Sequence, residues 1–178
     1  MQQNFNIPKG YHIRKKVRGS TRKLHSLESK FESILLDIPD ESFAHDKVWH
    51  YHLPNPSRLV DSTNSSYKLR KKFLQLLADK LVELDKITKG KYRTLLLITL
   101  PYLSQSRIDI CVDIKHFEKL VSNTDSPSKW TPLSSERNIT RELDLVLPTE
   151  YRSKGFFRNS TDLNTKLIEE NWIIWREG

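Results

Sequence analysis

The sequence predicts an α+β fold: an antiparallel sheet with helices packed mainly on one face. Three observations predict it. Two long stretches carry apolar residues at steps of three and four, the spacing of an amphipathic helix. Several short runs are rich in β-branched and aromatic residues and are bounded by proline or polar turns. Two of those runs are joined by a connection too short for a crossover helix, so they must be antiparallel. With 178 residues, of which 37% are hydrophobic and 29% charged, the chain can bury one core and has little room for a second.

The first helix is expected over Ser20–Asp37. Leu24, Leu27, Phe31, Ile34 and Leu35 share one face, Ser20 or Thr21 caps the start, and Pro39 ends it. Lys47–Leu53 reads as a strand closed by Pro54. Trp49, Tyr51 and Leu53 point one way, and Val48, His50 and His52 the other. Residues 55–66 are rich in Asn, Ser and Pro and form a loop. A second helix follows from Ser66 to Lys86 on Leu69, Phe73, Leu76, Leu77, Leu81 and Leu84, broken by Lys89-Gly90-Lys91.

Tyr92–Leu100 is apolar on both faces, which places it centrally in the sheet. Arg107–Ile114 is its antiparallel partner, and His116–Ser122 a short helix. The pattern then weakens. Residues 124–135 read as loop, Leu143–Leu147 and Trp172–Trp175 as strands, Leu163–Glu170 as a helical turn or two, and 149–162 as a polar, irregular stretch. A C-terminal strand as apolar as Trp172–Trp175 must be tied into the sheet, or it is an aggregating edge.

Charge is distributed unevenly. The net charge is +8, and residues 1–30 contain Lys9, Arg14, Lys15, Lys16, Arg18, Arg22, Lys23 and Lys30 against Glu28 alone. A second short cluster is Lys68, Arg70, Lys71 and Lys72. Residues 1–16 lack apolar periodicity and read as a basic arm ahead of a single domain over 17–178. Three readings of the arm stand: a solvated extension, a nucleic-acid contact, or a contact to an acidic protein. Between Lys9 and Lys30 only Tyr11 is aromatic, so the stacking side chains expected of a single-strand binder are sparse.

Most catalytic signatures are excluded. Five glycines leave no phosphate loop or dinucleotide fingerprint, and there is no Gly-x-Ser-x-Gly elbow. The sharpest local feature is His50-Tyr51-His52, two imidazoles on one strand face, suited to a shared metal or to acid/base work. His45, Asp46 and Asp61 are further ligands or bases within reach in sequence. No second element carries His or Cys at matching spacing, so no metal and no cofactor are expected. Asp109, Cys111 and Asp113 alternate with Ile108, Ile110, Val112 and Ile114; the two carboxylates are either an acid/base pair or, the favoured reading, a polar solvent face with a buried thiol. The aromatics and arginines of Tyr151, Arg152, Phe156, Phe157 and Arg158 fall outside any core pattern, and are expected as anchors for a partner beside Arg14, Lys15, Lys16 and Arg18. Residues 1–10 are polar apart from Phe5 and Ile7, the longest apolar run is Leu95–Ile98, and Cys111 has no disulfide partner. A cytoplasmic address and no membrane partner are therefore expected. The sequons at Asn64, Asn138 and Asn159 are then chance.

Trp49-His50-Tyr51-His52-Leu53-Pro54, Val60-Asp61-Ser62, the basic amphipathic helix, Leu100-Pro101 and Trp130-x-Pro132-Leu133 together resemble an uncharacterised bacterial domain-of-unknown-function family, over roughly residues 15–147. The resemblance implies a bacterial source and transfers no catalytic residues. Small bacterial proteins of this kind include immunity partners of polymorphic toxins. The leading expectation is accordingly a cytoplasmic binding protein, an immunity protein that covers a cognate toxin. The alternatives are a hydrolase or transferase acting on a phosphate-bearing substrate through His50, His52 and Asp61, and a basic nucleic-acid-binding module.

Overall fold

The computed structural model describes residues 19–36, 48–51, 60, 66–88, 90–100, 102–122, 130–132, 137–158 and 169–177. Six strands form one sheet: β1 (Val48–Tyr51), β2 (Arg93–Leu100), β3 (Arg107–Cys111), β4 (Trp130–Pro132), β5 (Tyr151–Arg158) and β6 (Glu169–Arg176). Their order is β1-β3-β2-β6-β5-β4, and every neighbouring pair is antiparallel. Among the described residues, the sheet is accompanied by α1 (Ser20–Glu32), α2 (Tyr67–Thr88), α3 (Ile114–Ser122) and the single turn α4 (Ile139–Glu142). The predicted α+β class, the central place of β2 and the docking of the C-terminal strand all hold.

Period-two alternation sorts the strands into two faces. On the first face Leu96, Ile98, Ile108, Ile110, Tyr51, Trp172 and Ile174 meet Leu69, Phe73, Leu77, Leu81 and Leu84 of α2. Helix α1 lies on α2 through Leu27 and Phe31, and the Phe31 ring meets Phe73 edge-on with centroids 5.9 Å apart. On the second face Leu95, Cys111, Phe156 and Ile173 are covered by Phe117 and Val121 of α3. The sheet is therefore sandwiched, heavily on one side and by one short helix on the other.

The ends of the helices follow from local chemistry. Helix α1 stops at Glu32 rather than continuing to Asp37, because Ser33 turns its hydroxyl back onto the Lys30 carbonyl. The Tyr51 hydroxyl then donates to the carbonyl of Leu35 and holds the chain on the sheet. Helix α2 ends at Thr88, and Gly90 reverses the chain at φ 77°, a left-handed conformation that glycine adopts without strain.

The structure corrects four expectations. Within 149–162, residues 151–158 are not irregular but form strand β5, a full ladder partner of β6, while residues 159–162 lie outside the described residues. Its charges hid the strand, because Arg152 and Lys154 find partners remote in sequence. Lys154 donates to the Val121 and Ser122 carbonyls at the end of α3, and Arg152 pairs with Glu177. Within the supposed loop 124–135, Trp130–Pro132 forms edge strand β4 against β5. Residues 143–147 are not a strand. Their alternation is real, since Leu143 and Leu145 are buried, but the Gln75 side chain supplies both bonds to the Val146 backbone that a neighbouring strand would have given. Finally, Glu169 and Glu170 belong to β6, not to a helical turn, while residues 163–168 lie outside the described residues.

Candidate functional site

Asp109 stands opposite His50 in the β1–β3 register, and Arg107 lies two residues before it on the same face. That placement puts an imidazole, a carboxylate and a guanidinium side by side. Asp109 is 3% exposed, so its charge must be met inside the fold. The Nδ1 atom of His50 lies 2.7 Å from Asp109 Oδ1, and Arg107 Nε donates to Oδ1 at 2.9 Å and to Oδ2 at 3.2 Å. One buried carboxylate thus orients an imidazole and a guanidinium whose own side chains are 54% and 44% exposed. This overturns the reading of Asp109 as part of a solvent stripe, since it is buried, while Cys111 is the buried thiol expected, packed against α3. Asp113 is no strand residue either. Its carboxylate accepts from the Lys115 backbone and caps α3.

Of the expected acid/base set, His50 is placed here, while His52 and Asp61, with His45 and Asp46, lie outside the described residues. The sequence singled out Asp109 but not its pairing with His50, and it did not single out Arg107. Among the described residues no three His, Cys, Asp or Glu side chains gather as a metal would require. No helix among them is long and apolar enough to cross a membrane.

The expected partner anchors fare differently. Phe156 is fully buried between the sheet and α3, which withdraws it as a surface anchor. Tyr151 is half-buried and its hydroxyl donates to Asp85 Oδ2 at 2.6 Å, where Thr94 also donates to the other oxygen. Burial raises the Asp85 carboxyl above its usual value, opposed by the Tyr151 bond and by nearby Arg176 and Arg93. Desolvation, reinforced by Asp85, likewise raises the Tyr151 phenol. This is an interior polar cluster and not a docking surface. Phe157 and Arg158 end β5, and their side chains lie outside the description, as do Arg14, Lys15, Lys16 and Arg18.

Helix α1 turns Arg22, Lys23 and Lys30 to solvent. Glu28, the one acidic residue among the first thirty, is bonded to Lys72 of α2 at 2.8 Å, which lowers its carboxyl below the usual value. The outer face of α1 carries these three cations, with Glu32 exposed at its C-terminal end. The second cluster contributes less to that surface than its sequence suggests, since Lys72 is committed to Glu28 and Lys71 to Asp144.

A family model described as a protein of unknown function (DUF3916) matches residues 28–176. No curated protein and no solved structure matches the chain.

Proposed function

The chain belongs to the DUF3916 family, and we propose that it works as a cytoplasmic binding protein that captures an acidic partner protein, in the manner of an immunity protein covering its toxin. The observation that supports this reading is the outward face of α1. Arg22, Lys23 and Lys30 face solvent there, they continue the basic run from Lys9 to Arg18, and Glu28 is occupied by Lys72. Charges so grouped act over about 8 Å at physiological salt and speed encounter with an acidic surface. The sparse aromatics of this segment favour a protein over a nucleic acid.

The test is capture from the native host on the full-length chain, after nuclease treatment, compared with the triple variant Arg22→Glu, Lys23→Glu, Lys30→Glu. These positions are exposed, so the variant should melt as the parent does. The reading expects one acidic protein retained in stoichiometric amount, with association slowed about tenfold or more by charge reversal. Co-expression should relieve any toxicity of that protein. Retention of nucleic acid alone, released uniformly by salt, contradicts the reading and puts the nucleic-acid module in its place.

A further inference from the structure

The geometry points to a phosphoryl-oxyanion site at His50 and Arg107, built on the buried carboxylate of Asp109. Asp109 carries a full ligand load of its own: it receives His50 Nδ1 at 2.7 Å and Arg107 Nε at 2.9 and 3.2 Å. Both partners are held by the inner edge of their polar groups. In an arginine bound through Nε, the terminal amino groups remain as donors, and in an imidazolium bound through Nδ1, Nε2–H remains. No other bond of either side chain to a described residue accompanies these, and both side chains are about half exposed. Nδ1 and Nε meet at the same oxygen, Oδ1, so the imidazole and the guanidinium lie next to one another on the same sheet face.

Their number and shape select the ligand. A planar carboxylate offers two oxygens, which the guanidinium fork alone can satisfy. A phosphoryl group presents a third oxygen out of that plane, and His50 stands where it can be met. Asp109 cancels the Arg107 charge in part, so the site takes an anion by directed hydrogen bonds more than by net charge. It also restrains both side chains before the ligand arrives, which reduces the ordering cost of binding. This site lies on the β1–β3 part of the sheet, is formed by other residues than the basic face of α1, and stands or falls independently of the partner proposed for that face.

The experiment is a titration of inorganic phosphate into the isotopically labelled full-length chain in mildly acidic buffer, following the His50 imidazole by NMR, with sodium chloride at matched ionic strength as control. His50→Gln assigns the resonance. The site predicts a saturable shift that chloride does not reproduce. Arg107→Gln should weaken the affinity about tenfold or more, as loss of a charged hydrogen-bond donor does, and Arg107→Lys should not restore it, because the fork geometry is lost. The near-isosteric Asp109→Asn should weaken it as well while the backbone amide spectrum stays folded. Displacement of phosphate by phosphoserine, or by a nucleoside monophosphate, supports the site and identifies the source of its phosphoryl group. An unmoved His50 resonance, a response equal to that of chloride, an Arg107→Gln titration like the parent's, or displacement by neither phosphomonoester overturns the proposal.

Discussion

Cys111 sits at the meeting of β3 with α3, fully buried among Leu95, Phe117, Phe156 and Ile173. Burial first, then the carboxylates of Asp109 and Asp113, pushes its thiol from the ordinary value near 9 up to about 12. Such a thiol should resist alkylation in the folded protein and react once the chain is denatured, which thiol labelling followed by mass spectrometry reads directly. The raised value also has a sign for stability. Between about 9 and 12 the folded state keeps a proton that the unfolded chain has lost, so this contribution is complete below 9 and lost as pH rises toward 12. Cys111→Ala should cost about 1 kcal/mol near neutrality for the lost packing, and the gap from the parent should narrow in denaturant melts as pH climbs through that window. Phe156 makes a second residue-level case. Buried as it is, Phe156→Ala should cost about 3–5 kcal/mol in chemical unfolding, where a surface anchor would have left stability unchanged.

At the scale of elements, legibility tracked where each backbone and charge found its partner. Helix α2 was plain because Leu69, Phe73, Leu77, Leu81 and Leu84 carry its period with no help from elsewhere. Strand β2 was plain because Thr94 to Ile98 is apolar on both faces and buried on both. Strand β5 was hidden, since the need for Lys154 is created by the α3 carbonyls, more than thirty residues away. The candidate site divided in the same way. His50 was visible from its alternation in β1, but Asp109 as its partner depends on the β1–β3 register, which no local pattern specifies. Asn138 shows the reverse case, a sequon whose structural use is capping. Its side chain accepts from the Thr140 and Arg141 backbones at the start of α4, so Asn138→Ala should cost about 1 kcal/mol, measurable as a lowered denaturant midpoint.

Across the whole molecule, stability and the proposed binding draw on different parts. The described core joins α1, α2 and α4 on one face of the sheet to α3 on the other. The charge excess lies in the first thirty residues. Deleting residues 1–16 should therefore leave cooperative unfolding with little change in Tm by calorimetry, while the deleted chain should bind its partner more slowly. In the proposed function, α1 and the segment before it recruit an acidic protein by charge. The most direct test of that recruitment is the association rate of the captured partner, measured by stopped flow at low and at moderate salt for the parent and for the Arg22→Glu, Lys23→Glu, Lys30→Glu variant. The parent rate should fall steeply with salt, and the variant rate should be slow at low salt and nearly flat. Equal rates and equal salt dependence in the two proteins would contradict recruitment by charge.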